Sequence, residues 1–194
     1  KLFREISGHD YNQSGSNPVV LAAPLAELQL QDSSTLLIPA GSSLPGYDPL
    51  ANAVDMAGMK FKIRAVSGDL VPAPSKNIIQ TARGFLNSPY LWGGRSTFGF
   101  DCSGFVQIVY KIHGFALPRD TPRQAESGNE VSAIQNSLPG DLAFFTNGQG
   151  INHVGIILSP QEIIHCSGWV KTDRLDPRGI INRETGILTH RLEK

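Results

Sequence analysis

From Cys102 onward the chain carries one helix-length apolar stripe, then only short apolar runs between turns. Phe105, Ile108, Val109 and Ile112 fall at i, i+3, i+4 and i+7, the spacing of one helical face, and Gly114 is a natural stop signal. Leu117-Pro118-Arg119-Asp120-Thr121-Pro122 carries two closely spaced prolines, which predicts a loop. Ser137-Leu138-Pro139-Gly140-Asp141 reads as a turn. It leads into strand candidates over 142–146, 153–158 and 162–167, with a fourth over 186–192. Upstream, Ile78, Ile79, Ala82, Phe85 and Leu86 line one face of a helix that Ser75 is placed to cap and Asn87-Ser88-Pro89 ends. Helices first and antiparallel strands afterwards make an α+β arrangement.

The first part of the chain, to about residue 73, reads as β and loop. Pro18–Leu25 and Ser34–Ile38 are short apolar runs, and Lys60-Phe61-Lys62-Ile63-Arg64-Ala65-Val66 alternates as a half-buried strand does. A small barrel of short strands is expected here. The stretch to Asn17 offers few core candidates, so the barrel is expected to lack an N-terminal portion. Val71-Pro72-Ala73-Pro74-Ser75 reads as a linker. Two domains follow, residues 1–73 and 74–194.

Composition excludes several classes. With 17 basic and 17 acidic residues among 194, the electrostatic footprint of a nucleic-acid binder is missing. No apolar stretch approaches the ~20 residues of a membrane span. Two cysteines, Cys102 and Cys166, make no disulfide framework, and both are expected as free thiols. The opening Lys1-Leu2-Phe3-Arg4-Glu5 has neither Met nor an apolar signal segment, as in a trimmed chain.

Cys102 stands directly before the amphipathic helix, in Asp101-Cys102-Ser103-Gly104. Unpaired N–H groups and the helix dipole at that end favour thiolate over thiol. His153 and His165 lie in successive strand candidates, and the twelve residues between them allow a hairpin through Ser159-Pro160-Gln161. The histidines then share one face. A thiol nucleophile, a base and an orienting group is the chemistry of a cysteine hydrolase or acyltransferase. A zinc site from Cys102, His153, His165 and Asp101 lacks a close ligand pair, so no metal or cofactor is expected.

These motifs resemble the NlpC family of bacterial papain-like cell-wall peptidases. The matching elements, in family order, are Pro89-Tyr90-Leu91-Trp92-Gly93-Gly94, Asp101-Cys102-Ser103-Gly104-Phe105-Val106, Leu117-Pro118-Arg119-Asp120-Thr121, Pro139-Gly140-Asp141-Leu142, His153-Val154-Gly155-Ile156 and His165-Cys166-Ser167-Gly168. The resemblance implies a papain-like catalytic domain preceded by a small SH3-like β-barrel portion. It implies Cys102 as nucleophile, His153 as general base and His165 as the orienting residue. The backbone N–H of Cys102 and the hydroxyl of Tyr90 would form the oxyanion site. Asp101, Ser103 and Thr121, with Asp120 as a further acid, would hold a substrate amine, and Arg95 or Arg119 a substrate carboxylate. Tyr11 and Tyr47 are candidates for a substrate-contacting tyrosine of the first domain.

The implied partner is a peptidoglycan stem peptide, L-Ala-γ-D-Glu-diamino acid, with a free N-terminus, cut at the γ-D-glutamyl bond. A monomer in the cell envelope, the periplasm or outside the cell is expected, with cytoplasmic peptide recycling as the other setting. Two rival readings are another thiol acyltransferase or amidase, and a catalytically silent peptidoglycan-binding adaptor.

Overall fold

Chain contacts divide the protein into two units, one ending at Pro74 and one beginning at Ser75. The computed structural model describes residues 19–30, 32–56, 59–71 and 77–194. Ser75, Tyr11 and the opening stretch to Asn17 lie outside the described residues.

In the first unit the strands are β1 (Val19–Val20), β2 (Leu25–Gln29), β3 (Thr35–Pro39), β4 (Ser43–Leu44), β5 (Ala53–Met56) and β6 (Met59–Ala65). β6 alternates as expected, with Phe61 and Ile63 inward and Lys60, Lys62 and Arg64 outward. Among the described residues these strands form a four-stranded antiparallel sheet, order β3-β2-β6-β5, and a separate β1-β4 pair. Val19 and Val20 thus lie in one strand and Leu25 opens another. Leu21, Ala26, Leu28, Leu44, Val54, Phe61 and Ile63 form the core.

The second unit opens with helix α1 (Ile78–Arg83). Its cap is Asn77, whose side chain accepts from the Gln80 N–H at 2.9 Å. The helix ends earlier than its apolar periodicity suggests. Phe85 is buried beyond its end, while Leu86 is exposed. A short hairpin, β7 (Arg95–Ser96) and β8 (Gly99–Phe100), precedes helix α2 (Cys102–Ile112). Phe105, Val106, Ile108, Val109 and Ile112 of α2 are buried. Phe85, Phe100 and Phe105 meet edge to face with ring centroids 5.3–6.5 Å apart.

The proline-rich segment departs from expectation. Helix α3 (Thr121–Ala125) starts inside it, with Pro122 in its first turn. Proline is tolerated there because that N–H has no intrahelical acceptor.

The strands that follow are β9 (Leu142–Thr146), β10 (Ile151–Ser159), β11 (Glu162–Ser167), β12 (Trp169–Asp176), β13 (Gly179–Ile181) and β14 (Leu188–Leu192). They close into an antiparallel barrel of order β10-β11-β12-β13-β14-β9. The expected sheet is therefore a closed barrel. β12 and β13, unforeseen in the sequence, provide the missing staves. Phe145, Ile157, Ile163, Leu175 and Ile180 form a core cluster of the barrel.

Candidate active site

Asp101 makes the start of α2 rigid. Its backbone is extended, and its side chain accepts from the Gly104 N–H at 2.6 Å as an N-cap. The same carboxylate accepts from the Gly93 N–H at 2.9 Å and from both terminal nitrogens of Arg119, at 3.0 and 2.5 Å. Ser103 Oγ donates to it at 3.3 Å and accepts from Arg119 at 2.9 Å. Gly104 leaves room for this crowding, since a Cβ there would lie 2.2 Å from the Gly94 carbonyl oxygen.

Arg119 is thus committed to Asp101 and Ser103, so the expected choice for a substrate carboxylate narrows to the exposed Arg95. Asp101 already has a partner for each of its lone-pair directions. Asp120 caps α3 in position only; it is exposed and makes no side-chain cap bond.

Cys102 occupies the first turn of α2, where helix geometry leaves its N–H without an intrahelical acceptor. Its thiol is buried. Sγ lies 3.8 Å from Thr121 Oγ1 and 3.9 Å from the carbonyl oxygen of Asn152. The Ser103 and Val154 N–H groups also point at it. The thiol is therefore lodged against residues 152–154 of β10, the segment whose middle residue is His153.

Burial pushes the Cys102 thiol up, and the Asp101 charge adds to this. The Thr121 hydroxyl and the two N–H groups oppose it. Burial thus opposes the thiolate that the helix end was expected to favour. Desolvation outweighs the helix dipole.

His153 and His165 meet as the hairpin spacing predicts. β10 and β11 pair antiparallel with Gly155 opposite His165. A side chain at 155 would collide with His165, its Cβ lying 2.9 Å from that of His165. The glycine frees the space across which the two rings approach. His153 Nε2 and His165 Nδ1 are 2.8 Å apart.

Two further residues complete the cluster, and the sequence singled out neither for this role. Asp173, on β12, places Oδ2 3.0 Å from His165 Nε2. Its other oxygen accepts from the Arg183 N–H at 2.8 Å, and Lys171 Nζ lies 3.3 Å from Oδ2. His190, on β14, stacks on His153 with centroids 4.1 Å apart. Asp173 comes from the strand paired with β11, whereas His190 is delivered by barrel closure, a long-range event without a local sequence signal.

Burial pulls His153 well below the usual imidazole range, and the neighbouring His165 and His190 add to it. His165 is also lowered by burial, against the pull of Asp173. His190 falls to about 4, chiefly through burial. All three are neutral at pH 7.

His153, His165 and His190 offer three ligand nitrogens within 4.8 Å, a donor set suited to zinc. Imidazole lone pairs lie in the ring plane. The planes of His153 and His190 are inclined by only 24° in a face-to-face stack, so their lone pairs do not converge on an ion between them. The cluster is arranged as a hydrogen-bonded relay with a stacked neighbour.

Tyr90 lies near the thiol. Its N–H donates to the Gly168 carbonyl at 2.9 Å, and its ring is 37% exposed. Partial burial and then the Cys102 charge push its hydroxyl up, so it is a neutral donor. Cys166 is a free thiol as expected, donating to the Phe100 carbonyl at 3.2 Å. Burial lifts it to about 12, which makes it inert. Tyr47 of the first unit donates its hydroxyl to Asn52 Oδ1 at 3.1 Å.

Comparison with known proteins places this geometry in context. A sequence profile described as the NlpC/P60 family matches residues 87–189. A γ-D-glutamyl-L-lysine dipeptidyl-peptidase of Bacillus subtilis is 40% identical over 120 residues, covering 54% of this chain and 40% of that protein. A probable endopeptidase NlpC of Escherichia coli is 42% identical over 83 residues, covering 41% of this chain and 53% of that protein. The chain therefore spans only about half, or less, of the curated relatives it matches. The crystal structure of an NlpC/P60 family protein from Bacillus cereus superimposes with a TM-score of 0.71 at 26% identity, covering 96% of this chain and 65% of that one.

Proposed function

The chain belongs to the NlpC/P60 family, and from that premise we propose that its second unit is a cysteine peptidase acting on peptidoglycan stem peptides. The proposed scissile bond joins γ-D-glutamate to the diamino acid, in peptides with a free N-terminal L-Ala. The observation that carries the reading is a thiol seated against residues 152–154, with His153 linked at 2.8 Å to His165.

His153 takes the Cys102 proton as the sulfur attacks the γ-glutamyl carbonyl. The carbonyl electrons move onto oxygen, where the Cys102 N–H and the Tyr90 hydroxyl donate. Losing one such donor typically costs about 2.7–4 kcal/mol of transition-state stabilisation. The C–N bond then breaks, and His153 passes its proton to the leaving amine. Water, deprotonated by His153, attacks the thioester, and the thiol is regenerated with release of L-Ala-D-Glu.

Thr121 Oγ1 and Ser103 line the nucleophile side, with Asp101 behind them. Asp120 supplies an exposed carboxylate for the substrate amine. The catalytic half fits a papain-like domain, in which a nucleophile-bearing helix packs on an antiparallel barrel. The first unit, with its short antiparallel strands, fits an SH3-like portion. Among the described residues no helix is long and apolar enough to cross a membrane. A stem-peptide substrate suits a protein of the envelope or outside the cell, and equally one that recycles freed peptides in the cytoplasm.

The test is cleavage of L-Ala-γ-D-Glu-meso-diaminopimelate-D-Ala, free and N-acetylated, by wild type and Cys102→Ala. Release of L-Ala-D-Glu from the free peptide alone, abolished in the variant, supports the whole reading. Equal cleavage of both peptides removes the amine preference. No cleavage of either overturns the assignment.

A further inference from the structure

Three groups of the second unit stand in a hydrogen-bonded line, His153, His165 and Asp173, and the Cys102 thiol lies against residues 152–154, the segment that carries His153. The orientation of every hydrogen bond in that line follows from its far end. We propose that Asp173 is a positioning residue that sets the tautomer of His153, and so makes its free nitrogen the one that takes the thiol proton. This rests on the peptidase reading above and extends it to a residue that touches neither substrate nor thiol.

The argument begins with what an ionised carboxylate can do: it accepts only. Burial opposes ionisation of Asp173, but the His165 hydrogen bond, the Arg183 N–H and the nearby Lys171 hold it down to about 2. Facing an acceptor at 3.0 Å, His165 Nε2 must carry a proton. His165 is neutral at pH 7, because burial lowers it. A neutral imidazole has one N–H, so His165 Nδ1 is bare and accepts. Across 2.8 Å, His153 Nε2 must therefore donate. His153 is neutral as well, so its remaining nitrogen, Nδ1, is the bare one.

The opposite polarity is chemically reasonable without Asp173. With Nδ1–H on His165, His153 Nε2 would accept and its Nδ1 would carry the proton. That ring has no lone pair for the thiol at Nδ1. Burial of both imidazoles makes the choice consequential, since neither reaches water to exchange its tautomer freely. When His153 takes the thiol proton, it becomes a cation bonded to an oriented acceptor. The Asp173 charge lies one residue further on and need not move.

Asp173→Asn tests this cleanly. Asn keeps an oxygen for the Arg183 N–H while its amide donates toward His165 Nε2, favouring the reversed line. We expect kcat on the free stem tetrapeptide to fall on the order of a hundredfold or more, with KM nearly unchanged, as for other triads whose histidine tautomer is lost. Nitrogen-15 spectra of the wild-type histidines provide the second readout, independent of whether the variant folds. They should show protonated Nε2 and bare Nδ1 on both His153 and His165 at pH 7. In Asp173→Asn the His165 proton should move to Nδ1.

A wild-type His165 carrying its proton on Nδ1 overturns the proposal. So does a folded Asp173→Asn with wild-type kcat. Loss of activity with both tautomers unchanged reduces Asp173 to a packing role and equally overturns it. Cys102→Ala, run alongside, separates the two readings. Full activity in that variant sinks the peptidase assignment, whereas inactivity there with an indifferent Asp173→Asn sinks only this inference.

Discussion

His190 lies flat against His153, ring centroids 4.1 Å apart and planes inclined by 24°. Phe145 approaches both rings, at 5.8 Å from His153 and 6.2 Å from His190. The proposed base is held by a hydrogen bond at one ring edge and by aromatic contact on its face. Replacing His190 by Ala should remove the stack, worth about 0.5–1.5 kcal/mol, and lower kcat roughly two- to tenfold. His190→Phe should restore most of it. Steady-state kinetics of the two variants check this.

Acid should weaken the second unit well before its carboxylates titrate. His153, His165 and His190 have folded pKa values below the unfolded value of 6.5. Below pH 6.5 the unfolded chain binds protons that the folded one refuses, so stability falls as pH falls. For His190 the loss runs from pH 6.5 down to about 4. Asp173 has the same sign, with its contribution lost as pH drops from 3.8 toward about 2. Thermal melts from pH 7.5 to 4 should show a falling midpoint, and His190→Phe should flatten the curve.

The same shifts fix the acid limb of activity. A base that must be neutral, and that burial holds well below 6.5, stays competent in mild acid. The acid limb of kcat/KM should therefore lie below pH 6.5. Because burial pushes the Cys102 thiol up, iodoacetamide should also label it no faster at pH 6 than an ordinary exposed cysteine. Rapid labelling there would mean that a thiolate persists at rest.

Gly155→Ala probes the space between the two rings. The added methyl would sit 2.7 Å from Ile163 Cδ1 and 2.9 Å from His165 Cβ. Overpacking of this kind costs about 1–3 kcal/mol. The larger effect is expected on catalysis, at least tenfold in kcat, because His165 must yield. Denaturant melts and peptide hydrolysis on one preparation separate the two.

Asp101→Ala should destabilise the second unit by more than the ~1 kcal/mol of a lost helix cap. It also strands the half-buried Arg119 guanidinium. Arg119→Met combined with it should recover part of the loss, read from urea midpoints.

The helix 102–112 and the histidine hairpin were legible because both are local. One rests on a 3.6-residue apolar period, the other on a short turn between apolar runs. Asp173 sits in Lys171-Thr172-Asp173-Arg174, polar enough to read as a surface loop, although it lies in β12 opposite Ile163 of β11. His190 fell within an anticipated strand, but its partner was set by the pairing of β14 with β9. Thr121 was seen as a hydroxyl yet not as the start of a helix, since proline spacing argued for a loop. The helix terminus that favours a thiolate is visible in a sequence, whereas the burial that opposes it is not.

Barrel closure also carries an entropic cost of its own. Hairpin pairings link β9 through β14 in succession, and the two ends are joined where Arg191 meets Thr146, Leu192 meets Phe145, and Phe144 bonds to the backbone of Glu193 and Lys194. That contact closes the longest loop in the barrel and so carries the largest closure entropy of its pairings. It is also what brings His190 onto His153. A nascent or clipped chain lacking β14 would hold its thiol and both strand histidines and still present an incompletely braced base. The fold thereby ties competence of the site to completion of the barrel.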